Sequence, residues 1–269
     1  NFFPNISLAT QIGKFQTQLS YTTKIKRPFY NQLSSNMRYM NRFTYMSGNP
    51  DLKPETIHDL TLSGSYKWLQ FMISYQREKD AILYITEQYE KNPAITTVTH
   101  RNFNRIDNFS AFLTASPAVG SWHPQLTVGV QKQWAKIEHN GETLQMDTPL
   151  FFCTLNNGIQ LPYHWTLSTD INFQSKGDYQ NIYMYQNVFM MNATLTKSFL
   201  NEHLSIHLQG IDLTHGRKDG NRIYNKHMNM DVANVSDSRE LRFTIRYKFN
   251  TAKSKYKGKG AATEEIKRL

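Results

Sequence analysis

Few side chains in this chain are spaced for catalysis. His203 and His207 stand four residues apart, a metal-ligand spacing on a helix. They flank Leu204-Ser205-Ile206, which reads as strand, so interface or interior histidines are the plainer reading. Lys257-Gly258-Lys259-Gly260-Ala261-Ala262-Thr263 has the composition of a phosphate loop, yet the GxxxxGK[ST] order is absent and no strand-turn-helix unit surrounds it. Neither HExxH nor GxSxG occurs. Cys153 is the chain's one cysteine, which excludes an internal disulfide framework and a multi-cysteine metal site. The sequons at Asn5, Asn108, Asn192 and Asn234 would matter only in a eukaryotic secretory route. The expectation is therefore no enzyme, no metal and no cofactor.

Binding chemistry is better represented. Arg242, Arg246 and Lys248 make a basic row on one side of a strand, where they could meet an anionic substrate. A solvated or locally paired wall is the blander alternative. The aromatic residues between Lys24 and Tyr45 could stack on sugar rings, or simply pack their own loop. The formal charge of +10 invites a nucleic-acid partner. However, Lys253, Lys255, Lys257, Lys259, Lys267 and Arg268 crowd the tail against only Glu264 and Glu265, so no nucleic acid is expected.

The elements that would position these residues are strands. Leu60, Leu62, Gly64 and Tyr66 alternate with Asp59, Thr61, Ser63 and Ser65; after Lys67-Trp68, Leu69, Phe71, Ile73 and Tyr75 alternate with Gln70, Met72, Ser74 and Gln76. That is a tight hairpin with period two. One side is apolar and the other carries Ser, Thr, Gln and Asp, a pattern that suits lipid outside and a polar lumen inside. No apolar run reaches the length of a membrane helix, which leaves closed β-structure as the fold able to satisfy every backbone group in lipid. A hydrophobic fraction of 39% with 13% aromatics fits such a wall, since half of each strand faces polar space.

The segment before this hairpin, Gly48-Asn49-Pro50-Asp51-Leu52-Lys53-Pro54-Glu55, resembles the GNPxLKPE signature of TonB-dependent receptor barrels in the outer membrane protein beta-barrel family. Pro50 and Pro54 hold it extended, so it reads as a loop ending in a strand start. The basic KSKYKGKG tail and Phe249 also resemble this family, whose last strand ends in an aromatic residue; here residues 250–269 follow it. The resemblance implies an all-β, antiparallel transmembrane β-barrel in the bacterial outer membrane, with long external loops, lipid around it, an N-terminal plug domain, the TonB energy-coupling complex and an imported nutrient as partners.

Short and long connections alternate along the chain, giving about eleven strands. Short turns near Gly13, Lys67, Pro117, Pro162 and Asn201 fall on one side, the periplasmic one. Trp68, Trp122 and Trp165 lie beside these turns and would form an aromatic girdle, with Trp134 at the opposite interface. Leu241, Phe243, Ile245, Tyr247 and Phe249 would face lipid on the last strand, and Arg242, Arg246 and Lys248 the lumen. Asn1 then begins outside the cell and no signal peptide is visible, so the chain is expected to be part of a larger barrel, near about 22 strands. Residues 1–250 would be barrel and 251–269 a flexible basic periplasmic tail. A passive pore and a soluble β-rich ligand-binding module are the alternatives.

Overall fold

The computed structural model describes residues 3–89, 92–139, 141–224 and 229–249; the tail 251–269 lies outside them. In chain order the elements are β1 (Asn5–Ile12), β2 (Phe15–Lys26), α1 (Tyr30–Leu33), β3 (Arg38–Asn41), β4 (Thr44–Met46), β5 (Glu55–Tyr66), β6 (Leu69–Tyr89), β7 (Asn92–Ala115), β8 (Trp122–His139) and β9 (Glu142–Met146). They continue with β10 (Leu150–Leu161), β11 (Trp165–Gln174), β12 (Gly177–Tyr179), β13 (Ile182–Met184), β14 (Val188–Phe199), β15 (Leu204–Ile211), β16 (Lys218–Tyr224), β17 (Asn229–Val235) and β18 (Glu240–Tyr247). The main sheet runs β1-β2-β5-β6-β7-β8-β10-β11-β14-β15-β18. Each neighbour along that path is antiparallel.

Pairing in register turns the alternation of single strands into rows across the sheet. Leu8, Leu19, Leu62, Ile73, Ala111, Val130 and Phe151 stand opposite one another in succession. Leu195, Leu208 and Phe243 do the same near the far edge. One residue over, Ser7, Ser20, Thr61, Ser74, Ser110 and Gln131 form a polar row on the other face. Opposed residues share a face, so the sheet is apolar on one side and hydroxyl- and amide-bearing on the other. Among the described residues nothing covers Leu8 or Phe243 on the apolar face, which are 73% and 62% exposed. A soluble sheet buries that face, whereas a membrane wall leaves it to lipid.

Two glycines serve cross-strand aromatics. Gly64 opposes Phe71 on the apolar face, and Gly129 lies between Phe112 and Phe152 on the polar face. A side chain at either would collide with a Phe71 or Phe112 ring.

The two ends of the sheet differ. At one end the strands turn through short connections, with left-handed backbone at Gly13, Lys67, Gly120, Tyr163, His164, Leu200, Asn201 and Glu202. All long connections leave from the other, the loop end. One carries α1, β3 and β4, with β4 lying parallel to β7. Another carries β9, paired with β8. A third and fourth contribute β12, β13, β16 and β17, which form a second sheet. β6 and β7, 21 and 24 residues long, run on past the 12-residue β5 as one hairpin.

The buried core sits at this loop end rather than inside the main sheet. Ala81, Leu83, Ile106, Ala135, Ile137 and Met146 form it, with Phe103, Leu144, Tyr183 and Tyr224 packed against it. The long connections that follow β11 and β15, read from the sequence only as connections, hold the second sheet.

Candidate functional site

The Gly48–Glu55 segment works as a clasp at the base of the long hairpin. Gly48 passes so close to the Gln32 and Ser34 carbonyls that no Cβ would fit, and its amide donates to Ser34 at 2.8 Å. Asn49 receives the Asp51 amide at 2.9 Å and donates through Nδ2 to the His100 carbonyl at 3.1 Å. Leu52 is buried. Asn102 then closes the clasp: its Oδ1 accepts the Lys53 amide at 2.8 Å, and its Nδ2 donates to the Lys53 and Asp80 carbonyls at 3.0 and 2.7 Å. Asp80 has left-handed backbone at the point where the hairpin leaves the sheet. Glu55 is buried, accepting from Lys26 Nζ at 3.2 Å and from the Ile82 amide at 3.4 Å. Pro50 and Pro54 supply the extended backbone between these contacts.

Above the clasp two recesses open. Where β7 and β8 part beyond the Ile106–Ala135 pair, a cleft of about 1120 Å³ lies between the long hairpin and β8–β9. Glu87, Arg101, Arg105, Lys136, Asp147 and Trp134 are among its walls, a mixture suited to a charged, ring-bearing small molecule. On the polar face the second sheet forms a roof. Gln133 and Gln180 exchange hydrogen bonds of 2.7 and 2.6 Å, and Asn181 donates to the Tyr84 and Tyr224 carbonyls. Beneath Tyr179 and Gln180 a smaller recess of about 220 Å³ is lined by Ser74, Gln76, Asn108, Ser110 and Gln131.

His100 and Asp178 are among the buried titratable groups of this end. His100 is 6% exposed, lies 4.2 Å from the Tyr84 ring and has neither ring nitrogen hydrogen-bonded, so burial lowers its pKa. Asp178 joins β12 to the 147–149 segment through the Thr148 amide at 2.8 Å. Burial raises its pKa against the pull of that hydrogen bond.

The other residues singled out from the sequence are distributed over the sheet. Trp68, Trp122 and Trp165 stand at the short-turn end, Trp122 donating to Asn157 at 3.1 Å and Trp165 lying 5.1 Å beneath Lys197 Nζ. Trp134 is twelve residues up β8 from Trp122, with Lys132 5.4 Å from its ring. Leu241, Phe243, Ile245, Tyr247 and Phe249 are all exposed. Arg242 forks onto Glu240 with two bonds of 2.9 Å, while Lys248 bonds His203 through its backbone. His207 shares hydrogen bonds with Thr196 and Ser205. Sequence reasoning missed Asn102, Gln133, Gln180 and Asn181. Each acts across 22 or more residues, and no local pattern marks them.

With this geometry described, comparison with known proteins gives a consistent result. A sequence profile of the outer membrane protein beta-barrel family matches residues 1–247. No curated protein sequence matches the chain. Among solved structures, the siderophore receptor PirA from Pseudomonas aeruginosa is similar over 81% of this chain, with 16% identity and a TM-score of 0.55. The pyoverdine outer membrane receptor FpvA from Pseudomonas aeruginosa PAO1 is similar over 92%, with 13% identity and a TM-score of 0.58. The chain spans 39% and 36% of those two proteins' lengths, and at such identity the likeness is one of fold.

Proposed function

This chain belongs to the outer membrane protein beta-barrel family, and from that premise we propose that it takes part in TonB-dependent uptake of a nutrient. It is an antiparallel transmembrane β-barrel chain of the outer membrane. In the proposed role, the apolar face meets lipid and the polar face lines the passage. The observation that carries this reading is the gathering of all long connections at one end, with the second sheet roofing the polar face there. A wall built only to stay open has no use for that roof. Long loops are external in such barrels, so the clasp, cleft and roof would face the medium and bind the nutrient.

A plug domain and the TonB energy-coupling complex are the partners this role requires. Siderophores, oligosaccharides and peptides are the substrate classes to examine. Siderophores come first, because the receptors similar in fold include one for siderophores and one bound to pyoverdine. Disruption of the gene in its host should abolish growth on one limiting nutrient from a panel of these classes. Removing TonB should abolish growth on that same nutrient. Uptake that survives loss of TonB would instead identify a passive pore.

A further inference from the structure

We propose that the loop-end rim of the apolar face is a binding site for the phosphate of an anionic lipid in the surrounding membrane. The argument starts from register. Tyr75, Phe109 and Lys132 stand opposite one another, then Arg77, Asp107 and Trp134, then Lys79 and Arg105. Alternation along each strand puts all of them on the apolar face, with Lys136 two residues beyond Trp134. The composition of that face therefore changes over a few rows: Leu62, Ile73, Ala111 and Val130 make an apolar row, Lys132 enters the next row beside Leu60, Tyr75 and Phe109, and Arg77, Lys79, Arg105 and Lys136 lie above it.

The cations are held in place, not scattered. Asp107 is buried and accepts from Tyr75 Oη at 2.6 Å, from Arg77 Nε at 2.9 Å and from Arg105 Nε. One carboxylate thus fixes two guanidinium groups through one edge each. Both stay accessible, at 39% and 52% side-chain exposure. A guanidinium held this way keeps donors for a second anion, and a forked pair is the geometry that suits phosphate. Lys132, Lys79 and Lys136 add positive charge that Asp107 does not balance.

Trp134 gives the level. Its ring is 44% exposed on the same face, with Lys132 5.4 Å from it, the arrangement expected where acyl chains give way to headgroups. A lipid seated here would lay its chains on the Val130 and Val128 rows and its phosphate among the cations. The apolar rows directly below favour a lipid over a soluble anion, since only a lipid satisfies both halves. Arg105, Trp134 and Lys136 also line the cleft between the long hairpin and β8–β9, so the lipid site is read by lipid binding and not by uptake.

The test uses the intact protein in detergent micelles, titrated with phosphatidic acid or with diacylglycerol of the same chains, bound lipid being counted by native mass spectrometry. Phosphatidic acid should bind, and diacylglycerol should not. The double variant K132Q/K136Q should weaken phosphatidic acid binding by about thirtyfold, with folding checked by heat-modifiable migration. K14Q/K67Q, at the short-turn end, should leave it unchanged. Equal binding by K132Q/K136Q would overturn the proposal. So would displacement by inorganic phosphate at matched concentration, which would mark a soluble-anion site. Should K132Q/K136Q fail to fold, a salt titration of the unaltered protein decides: release of the lipid without unfolding supports the site, and retention at high salt overturns it.

Discussion

His100 shows how much a single side chain can report at the loop end. Its imidazole is buried against Tyr84 without a hydrogen bond, so burial holds its pKa below the ordinary value. The folded hairpin then binds fewer protons than the opened one. Its stability is intact above about pH 6.5, the unfolded value, and declines as the pH falls below it. Amide exchange in β6 and β7 beyond Asp80 should accelerate between neutral pH and pH 5, and His100→Leu should flatten that slope. A slope unchanged in His100→Leu would place the titration elsewhere. Asn102 makes a separate prediction. Its side chain satisfies the Lys53 amide and two carbonyls, so Asn102→Ala should cost about 1–3 kcal/mol in local opening of the clasp. Hydrogen exchange at Lys53 would read that directly, while the exchange of β14 and β15 should not move.

At the scale of elements, the last strand carries the sharpest test. Leu241, Phe243 and Ile245 extend the apolar rows of β15 through Gly210, Leu208 and Ile206, and in a membrane they would face lipid. Phe243→Arg should cost about 2–4 kcal/mol in folding free energy measured in bilayers, if Phe243 sits near the midplane. Thr244→Arg, one residue on and on the polar face, should cost little. The strands themselves were legible because alternation persists over ten or so residues in each, and a run such as Leu60 to Tyr75 admits no other period. The short and long connections were legible for the same reason. The second sheet was not. β12 and β13 are three residues each, too short to alternate, and Lys218–Tyr224 carries too many polar residues to read as a strand. Its pairing joins Ile182 to Ile223, and only the folded chain brings them together. The clasp was half legible. Gly48 to Glu55 could be recognised as a motif and as extended backbone, but its partners His100 and Asn102 lie about fifty residues away.

For the whole molecule, the question is which face meets lipid, and the chain contains its own probe. Cys153 is the one cysteine in the sequence. It stands in the apolar row between Val128 and Phe173, with Leu113 and Phe189 at either end. The next residue, Thr154, faces the other way and bonds Asn172 at 3.1 Å. A thiol reacts as thiolate, which an apolar surrounding suppresses, and a charged reagent does not enter hydrocarbon. In bilayers Cys153 should therefore resist a charged methanethiosulfonate. A cysteine placed at Thr154 in a Cys153→Ser background should react at least about tenfold faster. In detergent-free denaturant the two rates should converge, which separates the effect of the fold from any intrinsic difference between the positions. Equal rates in bilayers would mean that water reaches both faces, and the uncovered rows from Leu8 to Phe151 would then need a protein partner to bury them. Protection of Cys153 alone ties the register of ten residues in β10 to the direction of the membrane around the entire sheet.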